Sequence, residues 1–333
     1  MKEKEIKIDI ETKIEGLRFR KFEGESDFQK MVNILDAVSI ADQEDRADTL
    51  EDVKNAYAHL TNSDPEKDMI FTEINGQTIA YSRVQWWQEE DPNDRIYSLF
   101  VNLIPEWREK GIEQAMMQWC EMRLMDIAKE HPKDSKRLFQ TYSSAFKPAF
   151  NQILESLGYE TVRFFIEMSR TLENIPIAEL PEGIDVRDVK DQYERKVWDA
   201  DVEAFRDHWG FSPPTEEDYK SYTESKYWQP ELWQVAWDGD KVVSSVMNYI
   251  DHDYNKKFGR NRGWTENIST RREWRRRGIA KALIVKSMHM HKAKGMTEVA
   301  LGVDTNNPSG ALKLYQSLGY EKEKTVMTYR KEM

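Results

Sequence analysis

One cysteine, Cys120, in a chain of 333 residues excludes an internal disulfide and a cysteine-built zinc cluster. No apolar run approaches the roughly 20 residues a membrane-spanning helix needs. The opening stretch MKEKEIKIDIETKIEG lacks the apolar core of a secretory signal, and its alternation predicts an extended tail or an edge strand. These absences leave a cytoplasmic protein as the expected class, with no metal site. Positive charge is also in deficit. A net charge of −11 argues against nucleic-acid binding and favours cationic small-molecule partners through long-range attraction.

What the chain does have is core material and a repeat. The 11 Trp, 13 Phe and 14 Tyr are a use of aromatics that a disordered chain would not make. The length suffices for two domains, each with its own core. Glu106-Trp107-Arg108, followed by Gly111-Ile112, recurs as Glu273-Trp274-Arg275 followed by Gly278-Ile279, an offset of 167. Ser156 to Glu160 recurs as Ser317 to Glu321, offset 161, and the turn Asn75-Gly76 parallels Asp238-Gly239, offset 163. Arg20 parallels Arg187, again offset 167. Matching offsets in one order mark a duplication. The expected organisation is a first domain over 1–172, a linker over 173–183 (ENIPIAELPEG, with two prolines and a glycine) and a second domain over 184–333.

The second repeat reads β-α-α-β-β-β-α-β-α-β. A strand starts at Ile184, helices cover 191–209 and 214–226, and a hairpin turns at Asp238-Gly239. A strand runs from Trp264 to Thr270. From Gly278 to Lys294 the spacing is helical, with Ile279, Leu283, Val285 and Met288 inward and Lys281, Lys286 and Lys292 outward. A strand over 299–303, a helix over 309–318 and a last strand over 326–330 complete an α/β fold. It is a mixed sheet with helices on both faces.

Five arginines fall within residues 271–277. Arg275-Arg276-Arg277-Gly278-Ile279-Ala280 lies between a strand and a helix, where unpaired backbone N–H groups and the helix dipole suit a diphosphate. Gly278 and Ala280 are small enough for phosphate oxygens to reach the backbone. A tight strand-to-helix turn with a solvated basic loop is the plainer explanation of this segment alone. Further along comes Asn307-x-x-x-Ala311-x-x-Leu314-Tyr315-x-x-Leu318-Gly319-Tyr320. Together the two segments resemble the GNAT (Gcn5-related N-acetyltransferase) family, whose pyrophosphate motif is Q/R-x-x-G-x-G/A and whose next unit reads N-x-x-x-A-x-x-L-Y-x-x-L-G-F/Y. The resemblance covers 184–333 strongly and 17–171 loosely, as a tandem form.

That resemblance implies an acetyl-CoA-dependent N-acetyltransferase acting by direct attack of an amine, with a small molecule as the expected acceptor. A protein N-terminus or lysine acceptor is the alternative within the same chemistry, and a non-catalytic acyl-CoA-binding module the alternative outside it. The backbone of Ile268, Ser269 and Thr270 would pair with the pantetheine arm. Arg275 and the N–H groups of Arg276, Arg277, Gly278, Ile279, Ala280 and Lys281 would hold the pyrophosphate, with Asn307 facing the cofactor. Tyr315 would be the general acid to the leaving thiolate. Glu266 would be the base or merely a strand carboxylate. His208 and Trp209 fall where the family shapes its acceptor pocket. In the first repeat Glu113 replaces Ala280 and Leu154 replaces Tyr315, so that copy is expected to be degenerate. Cys120 is expected in its core.

Overall fold

A computed structural model describes residues 5–8 and 13–333. Of the N-terminal stretch read as a tail or edge strand, Glu5–Ile6 (β1) is an edge strand; residues 1–4 and 9–12 lie outside the described residues. The chain forms two compact units.

The first unit comprises Met1–Arg163, Glu216–Ser221 and Val326–Met333. After β1 come β2 (Leu17–Arg20), α1 (Phe28–Ala41), α2 (Leu50–Ala58) and the single turn α3 (Pro65–Asp68). The strands β3 (Met69–Ile74), β4 (Gln77–Gln88) and β5 (Arg95–Leu103) follow, then α4 (Ile112–Lys129), β6 (Arg137–Ser144), α5 (Pro148–Ser156) and β7 (Glu160–Thr171). Strand alternation sends Ile70 to the layer under α4 and Met69 and Phe71 to the layer under α1. Cys120 is buried in the α4 layer, and burial pushes its thiol up to about 12, as a core residue requires.

The second unit comprises Phe164–Thr215 and Tyr222–Thr325. It holds most of β7, β8 (Asp185–Val186), α6 (Asp191–Phe205), the end of α7 (Glu216–Thr223), β9 (Gln234–Asp238), β10 (Lys241–Tyr249), α8 (His252–Phe258), β11 (Arg262–Thr270), α9 (Ile279–Ala293), β12 (Glu298–Asp304), α10 (Ala311–Ser317) and the start of β13 (Glu321–Glu332). Its sheet runs β7-β12-β11-β10-β9-β8, parallel only at β11–β12. Helices cover both faces as expected. Ala236 and Val246 pack under α9, whereas Val235, Trp237 and Met247 pack under α6. On α9 the inward residues Ile279, Leu283, Val285 and Met288 are all buried, the three outward lysines are exposed, and Gly295 ends the helix with φ +85.

The compact units differ from the repeat boundaries by an exchanged strand. The last strand, over Val326–Glu332, pairs antiparallel with β6 and so completes the first unit's sheet. The place it would fill in the second sheet is taken by Phe165–Thr171 of β7, antiparallel to β12. The sequence shows where strands lie; it does not show which neighbour each one meets. No helix among the described residues is long and apolar enough to cross a membrane.

Candidate active site

The site grows from an interruption in the second sheet. β11 and β12 pair only over Arg262–Trp264 and Glu298–Ala300, then diverge. On the other edge of β11 the register slips against β10 between Ser245 and Met247, where Asn267 takes a left-handed φ of +43. A bulge of this kind re-aims a strand. Beyond it Arg271 N–H donates to Val243 C=O across β10 at 2.9 Å. By strand alternation the backbone groups of Ile268 and Thr270 therefore face away from β10, toward the gap left by β12. Ser269 faces β10: its carbonyl accepts from Ser244 Oγ at 2.5 Å and its hydroxyl meets Ser245 Oγ at 3.0 Å.

A cavity of about 700 Å³ opens from this gap. Its lining brings together Ile268, Ser269, Thr270, Arg275, Arg276, Gly278, Ile279, Ala280, Lys281, Asn307, Tyr315 and His208, all singled out from sequence. Arg277, Glu266 and Trp209 stand outside the lining; Arg277 is exposed, and the Trp209 ring lies 6.5 Å from that of Phe165. The loop into α9 has two left-handed residues, Arg276 (φ +63) and the cap Gly278 (φ +82, ψ 0). No side chain caps α9, so its first N–H groups face the cavity with the helix dipole behind them. This arrangement, beside exposed Arg276 and Lys281, is a cradle for a diphosphate, and the volume suits a nucleotide-linked ligand.

Arg275 has a different task from the one its motif position suggests. Its Nε donates to Thr270 C=O at 2.9 Å, Nη1 to Asp207 Oδ2 at 2.6 Å and Nη2 to Ala204 C=O at 3.0 Å. With those bonds made, it ties the loop to α6. Asp207 also accepts from Arg272, and the arginine pair holds its carboxyl far below the usual range. The same clamp exists in the first unit, where Arg108 donates to Leu103 C=O at 3.3 Å and to both oxygens of Asp42 at 2.5 and 2.9 Å. The motifs do not single out Asp207, yet the sequence carries a signal for it: Asp42 and Asp207 stand 165 apart, inside the range of the other repeat offsets.

Tyr315 is buried against the cavity, and burial followed by the charge of Glu266 raises its hydroxyl, keeping it a proton donor. Glu266 reaches across the gap between β11 and β12, where its Oε1 accepts Gly302 N–H at 2.9 Å. Burial, with Glu167 adding like charge, pushes its carboxyl up to about 8. His208 is half-buried, its ring 4.2 Å from that of Phe205, and burial lowers its imidazole below the ordinary value. Asn307 Oδ1 accepts Ser309 N–H at 2.8 Å and so shapes the turn that rims the cavity.

The corresponding place in the first unit is closed. Its cavity is about 170 Å³, below the range of ordinary ligand pockets. Glu113 is buried there, lining the cavity beside Glu109, whose position is equivalent to that of Arg276. A carboxyl group of the chain thus stands where the second unit has the small Ala280. Burial raises Glu113, against the opposing pull of Arg108 and Lys147. Both cations are already paired, Arg108 with Asp42 and Lys147 with Glu44 at 2.6 Å. Leu154, fully buried, stands where the second unit has Tyr315.

Comparison with known proteins agrees with this geometry. Residues 196–320 match the model of the acetyltransferase (GNAT) family. A mycothiol acetyltransferase of Geodermatophilus obscurus is 23% identical over 269 residues, covering 80% of this chain and 82% of that protein. Among solved structures, a GCN5-related N-acetyltransferase from Sphaerobacter thermophilus superposes with TM-score 0.73 at 26% identity, covering 96% of this chain and 97% of that one. A tandem GNAT protein from the clavulanic acid biosynthesis pathway shares the fold, with TM-score 0.63 at 12% identity over 95% and 98%. The chain is a tandem member of the GNAT superfamily, an acyl-CoA-dependent N-acetyltransferase.

Proposed function

We propose that the second unit transfers an acetyl group from acetyl-CoA to the primary amine of a small molecule, and that the first unit is a degenerate copy without a donor site. The observation that carries this reading is the cavity that joins the α9 cradle to the buried Tyr315, whose hydroxyl the charge of Glu266 reaches from the gap between β11 and β12. The diphosphate of the donor would lie on the N–H groups from Arg276 to Lys281. Its pantetheine arm would run along Ile268 and Thr270 in place of the missing β12 pairing, bringing the thioester to the gap.

The chemistry then balances. An ammonium loses one proton to Glu266, directly or through water. The amine nitrogen attacks the thioester carbon, and negative charge grows on the carbonyl oxygen, where a strand N–H freed by the divergence of β11 and β12 can meet it. The C–N bond forms, the C–S bond breaks, the thiolate takes its proton from Tyr315, and the second proton shed by the attacking nitrogen restores the Tyr315 hydroxyl. A small-molecule acceptor is favoured over a protein by the mycothiol acetyltransferase relatives, which match this chain over most of their length. A cytoplasmic location accords with the supply of acetyl-CoA. The test is release of free thiol from acetyl-CoA by the purified chain against a panel of primary amines, with the acetylated product identified by mass. Amine-dependent thiol release with one acetylamine formed per thiol is expected; release unaffected by any amine would sink the reading.

A further inference from the structure

Glu266 has no cationic side chain paired to it among the described residues; its recorded partners are one backbone N–H and one like charge. The like charge comes from β7, the strand encoded at the end of the first repeat. In the β7–β12 ladder Glu167 is the partner of Gly302, the residue whose N–H holds Glu266. Gly302 has no side chain, so the two carboxylates approach over it from β11 on one side and β7 on the other. A Cβ there would stand 3.7 Å from Glu266 Oε1. Both face the same side of the sheet: Arg262, two pleats before Glu266 on β11, is bonded through Nη1 to Glu167 Oε1 at 2.9 Å.

We infer that Glu167 is an acceptor-binding residue, which with Glu266 forms a two-carboxylate seat for the acceptor's ammonium group. This rests on the acetyltransferase reading of the same site and adds to it a functional residue outside the 184–333 repeat. The charges around the pair support it. Arg262 is fully buried and shared among Glu167, Glu298 at 2.9 Å and Glu323 at 2.7 Å, with Arg260 bonded to Glu298 at 2.9 Å. Arg262 is thus divided among three carboxylates, two of which also bond Arg260. Glu298 and Glu323 both bond Arg260, whereas Glu167 is paired on the ladder with Gly302, the residue that holds Glu266. Lys324 on β13 acts on Glu167, while Tyr249 on β10, Tyr222 on α7 and Tyr315 on α10 face Glu266 as neutral phenols, each raised by burial. No cation from these elements reaches Glu266, and an incoming ammonium supplies the missing one. The same ammonium then gives its proton to Glu266, whose hold on that proton Glu167 strengthens.

The experiment compares Glu167→Gln with Glu298→Gln, both in the full chain, using an amine found active with wild type. Each removes one carboxylate from Arg262, but only the first removes a carboxylate from the acceptor seat. Glu167→Gln should raise the acceptor KM about tenfold, the loss of one charge-assisted contact, with acetyl-CoA KM unchanged. It should also move the acid limb of kcat/KM to lower pH, because Glu266 loses a like-charged neighbour. Glu298→Gln should do neither. If Glu167→Gln does not fold, Glu167→Asp keeps the charge and the Arg262 pair, and should keep the limb where wild type has it. Equal effects of the Gln variants, an unchanged acceptor KM and limb in Glu167→Gln, or a limb displaced in Glu167→Asp would overturn the inference. A wild-type protein inactive with every amine would instead refute the acetyltransferase reading beneath it.

Discussion

Ala280→Glu copies into the working site the residue that fills the cradle of the first unit. Ala280 is the second residue of α9 and lines the cavity, directly after the left-handed cap Gly278. In the first unit the equivalent Glu113 is buried and lines the small cavity beside the loop. A glutamate at 280 would put its charge against the N–H groups that the diphosphate would use. The charge penalty can be sized: two like charges about 5 Å apart at an effective dielectric near 20 repel by about 3 kcal/mol. That corresponds to a loss of about a hundredfold or more in affinity. Attraction by the helix dipole, worth about 0.3–1 kcal/mol, is too weak to offset it. Isothermal titration with acetyl-CoA reads the effect, with thermal unfolding to establish that the variant is folded. A folded Ala280→Glu protein with wild-type affinity would mean that the diphosphate lies elsewhere.

Other outcomes follow from the same geometry. Tyr315→Phe keeps the ring that packs in the core and removes the hydroxyl, so kcat should fall by about 10² with acetyl-CoA affinity little changed; full turnover would return Tyr315 to a packing role. Glu266 must be ionised to take a proton and titrates at about 8, so kcat/KM should rise tenfold per pH unit below that value and level off above it. In Glu266→Gln that limb should vanish, and its persistence would assign it to another group. Glu113→Ala removes the internal carboxyl of the first unit and enlarges its cavity of about 170 Å³, but leaves the cations that bound it paired. Calorimetric stoichiometry should therefore stay at one acetyl-CoA per chain in this variant as in wild type, and a value of two would restore the first unit as a binding domain.

Much of the second unit could be read from local pattern. The helical spacing of Ile279, Leu283 and Met288 survives in α9 because one apolar stripe meets one sheet face. The repeat offsets located both cradle loops because the Trp-Arg-x-x-Gly segment is short and its backbone demands are local. What stayed hidden depends on partners distant in sequence. Arg275 looks like a phosphate ligand until Asp207, 68 residues away, is found on its guanidinium. Val326–Glu332 reads as a strand, yet alternation carries no information about which sheet it joins. Helix α8 was not anticipated: HDYNKKF is too short for an apolar stripe, and its capping Asp251 bonds Tyr254 N–H in a way no periodicity reveals. Glu167 drew no attention because its meaning comes from the pairing of β7 with β12.

The most direct measurement is a structure of the full chain bound to coenzyme A. The diphosphate should lie within hydrogen-bond distance of the N–H groups between Arg276 and Lys281, with the pantetheine arm in the gap between β11 and β12 and its sulfur beside Tyr315. The Glu113 carboxylate should still fill the first unit's loop. Coenzyme A seated on the Arg108–Glu113 loop, or held outside the gap with its sulfur away from Tyr315, would contradict the assignment of the site.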